Sequence, residues 1–586
     1  MKKTKIVSTL GPASFDVDTI SKLIDAGANI FRFNFSHGSH PEHLKRYHMV
    51  QEAEKRTGKT VGIDLDTKGA EIRTTENADG KIQYHTGDKM VIAMDAVDKT
   101  TKDKINVTYT GLYDDVHVGG HVLFDDGILD TVIDSKDDSK RELHVTAQNP
   151  AVLGSRKTAD APGVSINLPG ITEKDSDDIE FGLENMNINF ITASFARKPQ
   201  DILDIRKLLD KHHMEDVQIF PKIENQEGID NLESIMKVSD GLMVPRGDMA
   251  VNIPFENVPL VQNHMIHRCN ELGKPVIVAT QMLASMAANP RPSRAEVSDV
   301  ANAVWDGTDA TMLSGESANG AYPVKAVQAM SKIDVKAENA FDEYGNFVPK
   351  FNNGDVTEAI GNTVSDMAKK LGIHTIVTVT GSGYTARMLS KYHPDANILA
   401  ITFDDRTRRG LTINWGVHPI VADKPSNANE MFDLASKKAL ETGLAKEGDL
   451  ILTVGGSPVG EKGTTNLIRV QLIGSKLTQG QGIGDKAIIG KAFVAKSADE
   501  ANKKATDGGV LVAKNTNKDY MPAIKKASAL VVETGGLTSY AAVAGISMGL
   551  PVVVSASHAT EKISDGDMIT VDSRRGIVYQ GATKSL

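Results

Sequence analysis

A lysine and a carboxylate stand two residues apart at the end of an apolar run, Val217-Gln-Ile-Phe-Pro-Lys222-Ile-Glu224-Asn225. Strand side chains alternate with a period of two, so both groups point to the same side. Burying a cation and an anion there costs free energy unless they bind each other or a ligand. Other apolar runs end in the same manner: Arg32-Phe-Asn34-Phe-Ser36-His37, Asp64-Leu-Asp66-Thr67-Lys68, Arg246-Gly247-Asp248, Thr280-Gln281 and Ser314-Gly315-Glu316.

Glu224 and Asp248 are hard oxygen donors at neighbouring strand ends. Two carboxylates completed by water and substrate oxygens suit magnesium. The alternative is that they cap helices or pair with Lys222 and Arg246. Asn34, Ser36, Asp66 and Thr67 form a second oxygen-rich set with one negative charge, better matched to a monovalent cation, although Asn and Ser are also common turn residues. Arg32 and Lys222 add fixed positive charge of the kind that stabilises a phosphoryl group in flight. The Thr280 hydroxyl is a poor acid alone but can relay a proton through water.

These groups need a scaffold that gathers strand ends. Apolar strand patterns at Lys5–Leu10, Asn29–Asn34, Val61–Asp66, Phe190–Phe195, Val217–Lys222, Gly241–Arg246, Val276–Gln281 and Ala310–Ser314 alternate with amphipathic helical patterns such as Asp16–Ala26, His43–Arg56 and Pro199–Lys211. Repeated strand-then-helix order implies a parallel sheet, and eight units imply a closed α/β barrel with its reactive groups at the C-terminal mouth. From about Glu71 to Leu168 alternating apolar residues with Gly and Asp turns read as an inserted all-β domain, placed to act as a lid. Expected domains are thus barrel (1–70), lid (71–168), barrel again (169–335), an α/β domain (336–474) and a C-terminal α/β domain (475–586).

In the fourth of these, the strand pattern Thr375–Thr380 runs into Gly381-Ser382-Gly383-Tyr384-Thr385 and a helical stretch Ala386–Lys391. Such a loop offers backbone N–H groups to phosphate. Arg406, Arg408 and Arg409 would supply cations, and Gly463-Thr464-Thr465-Asn466 a second hydroxyl loop. Thr478–Gly484, rich in Gly and Gln, reads as a linker into the last domain.

The net charge is −10 and no long basic run occurs, which argues against nucleic acid or an anionic membrane as the main partner. No apolar stretch reaches membrane-spanning length, and the N-terminal apolar run breaks at Gly11-Pro12, too early for a secretory signal. A cytoplasmic protein is expected. The single cysteine, Cys269, excludes an internal disulfide and reads as a small buried side chain in a helix over Pro259–Gly273.

Over its first 470 or so residues the chain resembles the pyruvate kinase family. The resemblance rests on Ser8-Thr-Leu-Gly-Pro12, Arg32-Phe-Asn-Phe-Ser-His-Gly38, Leu65-Asp-Thr-Lys-Gly69, Lys222-Ile-Glu-Asn225, Arg246-Gly-Asp248, Ala279-Thr-Gln-Met282 and Leu313-Ser-Gly-Glu316. It implies phosphoryl transfer from phosphoenolpyruvate to ADP, giving pyruvate and ATP. It further implies Mg2+ or Mn2+ on Glu224 and Asp248, and K+ on Asn34, Ser36, Asp66 and the Thr67 carbonyl. Lys222 would stabilise the moving phosphoryl group. Arg32, Lys222, Gly247, Asp248 and Thr280 would contact phosphoenolpyruvate, the amides near Gly247 gripping its carboxylate, and Thr280 would serve enolate protonation. Asn34, His37, Arg73 and Lys157 match nucleotide positions, and Glu71 matches the residue that marks potassium dependence. Thr380, Ser382, Gly383, Thr385, Thr464 and Thr465 resemble the family's effector site for a sugar phosphate or nucleotide. A homotetramer is implied as well.

The family pattern is not followed everywhere. Pro245, Met249-Ala250, Asn252 and Arg156–Pro162 depart from it, none removing a charged catalytic group. The last domain resembles the phosphohistidine domain of phosphoenolpyruvate-utilising enzymes through Glu533–Ala542 and Gly549-Leu-Pro551-Val. Where carriers have the phospho-accepting histidine this chain has Tyr540, so a structural or regulatory appendage is expected. Two other readings stand beside the first: a dikinase-like phosphotransferase using that domain as a carrier, and an inert metabolite-sensing homologue.

Overall fold

The computed structural model describes residues 1–345, 347, 350–351, 355–460, 465–474 and 476–582. The chain divides into two compact units. The first comprises Met1–Asn362, Gly381–His393 and Thr402–Ala422; the second comprises Thr363–Thr380, Pro394–Ile401 and Asp423–Leu586.

The first unit is built on eight parallel strands: β1 (Lys5–Thr9), β2 (Ile30–Asn34), β3 (Gly62–Asp66), β4 (Phe190–Ala193), β5 (Gln218–Pro221), β6 (Leu242–Pro245), β7 (Val276–Ala279) and β8 (Ala310–Leu313). Neighbours pair in chain order, and β8 pairs with β1. The ring closes between β5 and β6 through a parallel bridge of Lys222 to Met243, with the Ile223 N–H donating to the Met243 carbonyl at 3.4 Å. The expected barrel is therefore present.

The period of two sorts its side chains. Ile30, Phe190, Phe220, Met243, Ile277, Ala310 and Met312 fill the barrel interior. Phe31, Phe33, Leu65, Ile191, Ile219, Val244, Val278 and Leu313 instead pack outward in the cluster shared with the helices. Residues two and four positions beyond an inward one are inward too. That register turns Arg32, Asn34, Ser194, Lys222 and Glu224 into the barrel mouth.

The helices carry legible end signals. Asp16 caps Val17–Ala26 by accepting the Thr19 N–H, and Ser39 opens His40–Thr57, one turn earlier than the apolar pattern alone suggests because Pro41 is tolerated in a first turn. Cys269 is buried in the helix Val258–Leu272, where burial raises its thiol pKa.

The insert after β3 is all-β, as its alternation predicts: a six-stranded sheet and a two-stranded one around Tyr84, Phe124, Leu129 and Leu143.

In the second unit, Asn397–Thr402, Thr375–Val379 and Leu450–Gly456 pair in parallel, and Thr465–Leu472 adds an antiparallel edge. The C-terminal part forms an eight-stranded sheet. Here the linker expectation is overturned. Lys476–Gln479 and Gln481–Ile483 are strands of that sheet, paired to Ile577–Gln580 and Val552–Val554. The glycines serve close backbone approach rather than flexibility: a Cβ on Gly480 would lie 2.0 Å from the Val554 carbonyl oxygen, and one on Gly482 1.8 Å from that of Ser573. Among the described residues no helix is long and apolar enough to cross a membrane.

Candidate active site

Lys222, largely shielded at the mouth with its side chain 11% exposed, donates from Nζ to Ser194 Oγ at 2.9 Å, and lies 3.1 Å from Glu224 Oε1 and 3.7 Å from Asp66 Oδ1. Burial alone would lower its pKa, but Asp66, Glu224 and Asp248 outweigh that and raise it, so the charge stays on. Glu224 has no exposed surface; its Oε2 accepts the Phe195 N–H at 2.7 Å, while its buried Oε1 accepts no hydrogen bond. Burial pushes the Glu224 carboxyl up to about 8, against the pull of Lys222 and helped by the nearby charge of Asp248. Asp248 stands in the first turn of the helix Arg246–Asn252, half-buried. A buried carboxylate oxygen whose neighbour is the Lys222 ammonium, with the charge of a second carboxylate nearby, is a donor set that a divalent cation would suit. Of the alternative pairings, that of Glu224 with Lys222 is present at 3.1 Å, whereas the Arg246 guanidinium is committed to Asp299 at 2.6 Å and to the Thr280 carbonyl at 2.9 Å.

Arg32 is buried and ion-paired to Asp66, and its Nη1 donates to Thr9 Oγ1 at 3.0 Å. Asn34 lies beside Asp66 in the β2–β3 register. Its Oδ1 accepts the Ser36 N–H at 3.0 Å, and the Thr67 carbonyl lies 2.7 Å from Ser194 Oγ. The four oxygen-bearing residues expected for a monovalent cation are thus gathered at adjacent strand ends.

Ser194 is the residue that sequence reading missed. Its hydroxyl joins Lys222, the Thr67 carbonyl and Asp66, the last at 3.2 Å. The available signal was positional, since it follows β4 as Lys222 follows β5. Asp64, named at a strand end but given no role, accepts the Thr192 hydroxyl at 2.6 Å, and burial together with Asp66 pushes its carboxyl up to about 7.

Thr280 and Gln281 both adopt left-handed backbone conformations, with φ of 68° and 55°. Such strain in consecutive non-glycine residues persists only where surrounding contacts enforce it. It places Thr280 Oγ1 2.7 Å from the Gly247 amide, which donates to it. The amide expected to grip a substrate carboxylate is therefore engaged by Thr280. Glu316 also differs from expectation. It is buried and accepts from the Leu283 and Ser314 amides at 3.1 and 2.8 Å, so it locks loops rather than offering a reactive group.

Asn34 and His37 line a cleft of about 460 Å3 together with Thr9, Gly11, Arg32 and Arg46. His43 steadies its wall, stacking on Phe35 at 4.1 Å and placing Nε2 2.8 Å from the His37 carbonyl. Burial lowers the His43 pKa to about 4, so the ring is neutral and donates. Stability from this histidine is complete above its unfolded pKa of ~6.5 and is lost as pH falls towards about 4, an effect of about 3 kcal/mol. His43→Gln should flatten the acid limb of stability against pH; denaturation at pH 7 and pH 4.5 checks this, and an unchanged slope refutes it.

Arg73 and Lys157 sit on the insert, already paired: Arg73 with Glu71 at 2.6 Å, Lys157 with Asp125 at 2.8 Å. Glu71 also lies 3.2 Å from Lys68. Of the phosphate-loop residues, Ser382, Gly383 and Thr385 belong to the first unit, Thr380 and Thr465 to the second, and Thr464 lies outside the described residues. The arginines expected to serve that loop are taken: Arg406 pairs with Asp216, Arg408 with Asp405, and Arg409 with Glu54 and Asp405. A sequence window shows the cations but not the carboxylates that tertiary packing brings to them.

Family comparison agrees with this geometry. Residues 1–327 match the pyruvate kinase barrel domain, 358–471 the pyruvate kinase alpha/beta domain and 505–576 the mobile domain of PEP-utilising enzymes. The chain is 60% identical to a pyruvate kinase of Lactobacillus delbrueckii subsp. bulgaricus, covering 100% of both chains. It is 50% identical to a pyruvate kinase of Geobacillus stearothermophilus, covering 99% of each. A crystal structure of a pyruvate kinase from Cryptosporidium parvum superposes with a TM-score of 0.74 at 37% identity, over 80% of this chain and 96% of that one. With the barrel, its buried lysine–carboxylate mouth and full-length similarity in agreement, the chain belongs to the pyruvate kinase family.

Proposed function

We propose that the protein transfers the phosphoryl group of phosphoenolpyruvate to ADP, giving pyruvate and ATP, as a cytoplasmic homotetramer. The observation that carries this reading is the Lys222 ammonium at the barrel mouth, held 3.1 Å from a carboxylate oxygen of the fully buried Glu224. Transfer breaks the bond from phosphorus to the enol oxygen and forms one to a terminal ADP oxygen. Lys222 and Arg32 present two fixed positive charges at the mouth, where negative charge spreads over the moving phosphoryl oxygens. Mg2+ or Mn2+ held by Glu224 and Asp248 would supply further neutralisation of phosphoryl and enolate oxygens. K+ held by Asn34, Ser36, Asp66 and the Thr67 carbonyl would complete the local charge.

A substrate carboxylate that takes the Gly247 amide must displace Thr280 Oγ1 from it. The freed hydroxyl then relays a proton from water to the enolate carbon, forming pyruvate. Asn34 and His37 face the nucleotide in the cleft, and Arg73 and Lys157 exchange Glu71 and Asp125 for phosphate oxygens. A sugar-phosphate or nucleotide effector bound at the Ser382–Thr385 loop is part of this reading, supported by Gly383 in a left-handed turn opening the helix Tyr384–Ser390.

A coupled assay for ADP-dependent pyruvate release, with and without K+ and Mg2+, tests the proposal. Pyruvate formed without ADP, or none formed, sinks it. Tyr540 opens the helix Tyr540–Met548 of the last domain. A phenol is a poor nucleophile at neutral pH, so no phosphate passes through this residue. Labelled phosphoenolpyruvate should leave no acid-labile label on that domain; stable transfer of label to it would restore the carrier reading.

A further inference from the structure

Two stretches join the insert to the barrel: 67–71 leads out from β3, and 164–172 leads back into the helix Glu173–Asn185. One turn after β4, residues 194–197, holds both. The Ser194 N–H donates to Thr67 Oγ1 at 3.1 Å, and its hydroxyl to the Thr67 carbonyl at 2.7 Å. A Cβ on Gly69 would lie 2.8 Å from Ser194 Cβ, so the outgoing stretch is pressed against the turn. At the other end of the turn Arg197 is buried, and its guanidinium grips the return. Nη1 donates to the Ile166 carbonyl, and Nη2 donates to those of Leu168 at 2.6 Å and Pro169 at 3.2 Å. Between these grips the turn faces the mouth. The Phe195 N–H donates to Glu224 Oε2 at 2.7 Å, and the Ala196 N–H to the Lys222 carbonyl at 3.2 Å. Phe195 holds a left-handed φ of 54°, which persists in a bulky residue only where surrounding contacts enforce it.

We propose that Arg197 is a positioning residue that anchors the returning end of the inserted domain to the turn holding Lys222 and Glu224. Its main chain is fixed on both sides: the N–H donates to Asp201 Oδ2 at 2.9 Å, and the carbonyl accepts from Asn231 Nδ2 at 2.9 Å. The side chain is thereby aimed at the return. Its paired carboxylate, Asp201, stands 3.8 Å from Nε, so three main-chain carbonyls of the return do much of the solvating of this charge. A buried cation stripped of such partners is costly, and that cost holds the return in place. A cavity of about 70 Å3 opens among Ile166, Leu168, Phe195 and Asn225, so hydrogen bonds rather than close packing set the seat. The consequence for the mouth rests on the function proposed above; the anchoring does not.

Arg197→Met keeps an apolar stem and removes every donor. In the intact protein, hydrogen exchange over 164–170 should rise about tenfold in R197M while amides of β1 and β8 keep their rates, because the loss is local. Half-saturating ADP should rise about tenfold, since the insert carries Arg73 and Lys157, and half-saturating Mn2+ about threefold, since the Phe195 amide steadies Glu224. Mn2+ binding is read without turnover, from the paramagnetic resonance of the free ion. R197K keeps the charge but not the planar fork, so its exchange should rise about threefold, and it decides the matter if R197M does not fold. Ser165 donates to Glu227 at 2.7 Å on the same return from an exposed position, and S165A should stay within about twofold on every readout. Unchanged exchange in the Arg197 variants, a rise shared equally by β1 and β8, or an equal rise in S165A overturns the anchor. Local exchange that rises while both half-saturations stay put overturns the link to the mouth. A failure of the function reading shows separately, as no pyruvate from the unmodified protein, and exchange with Mn2+ binding still decides the anchor.

Discussion

Replacing Lys222 with Met should lower kcat by roughly 10³–10⁵, equivalent to ~4–7 kcal/mol of transition-state stabilisation. Methionine keeps an unbranched stem of similar length and deletes only the charge. Arg32 contributes its own charge from where Asp66 and Thr9 hold it, so it does not move into the place of Lys222. The fold should survive. Burial already raises the Glu224 carboxyl, and losing the downward pull of Lys222 raises it further, which favours its neutral form over an uncompensated buried anion. Steady-state kinetics beside far-UV circular dichroism check both halves. A variant turning over within tenfold of the unmodified protein would remove Lys222 from the mechanism.

The largest loss of stability should come from Asp66→Ala. It strips the counter-ion from the buried Arg32 guanidinium and takes a neighbour from Lys222. Breaking a buried pair by removing one partner costs about 3–5 kcal/mol, whereas replacing both by apolar groups is often neutral. The paired variant Arg32→Met/Asp66→Leu should therefore recover most of the stability of the barrel and none of the activity. Denaturant midpoints for the single and paired variants measure the first part, and pyruvate release the second. Equal midpoints for D66A and the paired variant would mean that the loss reflects something other than the orphaned arginine.

Legibility in the sequence differs from group to group. Lys222 and Glu224 were readable because strand alternation is strictly local. Once the run Val217–Pro221 is a strand, both side chains must face as Phe220 does. Ser194 obeys the same rule yet carried no distinguishing signal, since a hydroxyl after a strand is ordinary until Lys222, Asp66 and Thr67 converge on it. Glu316 and the arginines Arg406, Arg408 and Arg409 looked available for chemistry because their partners are invisible in a local window. The two strands on either side of Gly480 read as a linker in sequence because glycine is permitted by both flexibility and tight packing, and only the neighbouring carbonyls distinguish the two.

Residue order alone determined the strand-and-helix alternation, the barrel it closes into, the β-insert and the cluster of ionisable groups at strand ends, because each follows from periodicities of a few residues. Tertiary structure decided which of those groups are spent on one another. It gave Arg246 to Asp299, the Gly247 amide to Thr280 and Arg409 to Glu54, and it left one Glu224 oxygen without a hydrogen bond. The reason is physical: covalent order sets which face a side chain occupies, but a charge's partner is whatever the fold brings within about 3 Å, often from hundreds of residues away.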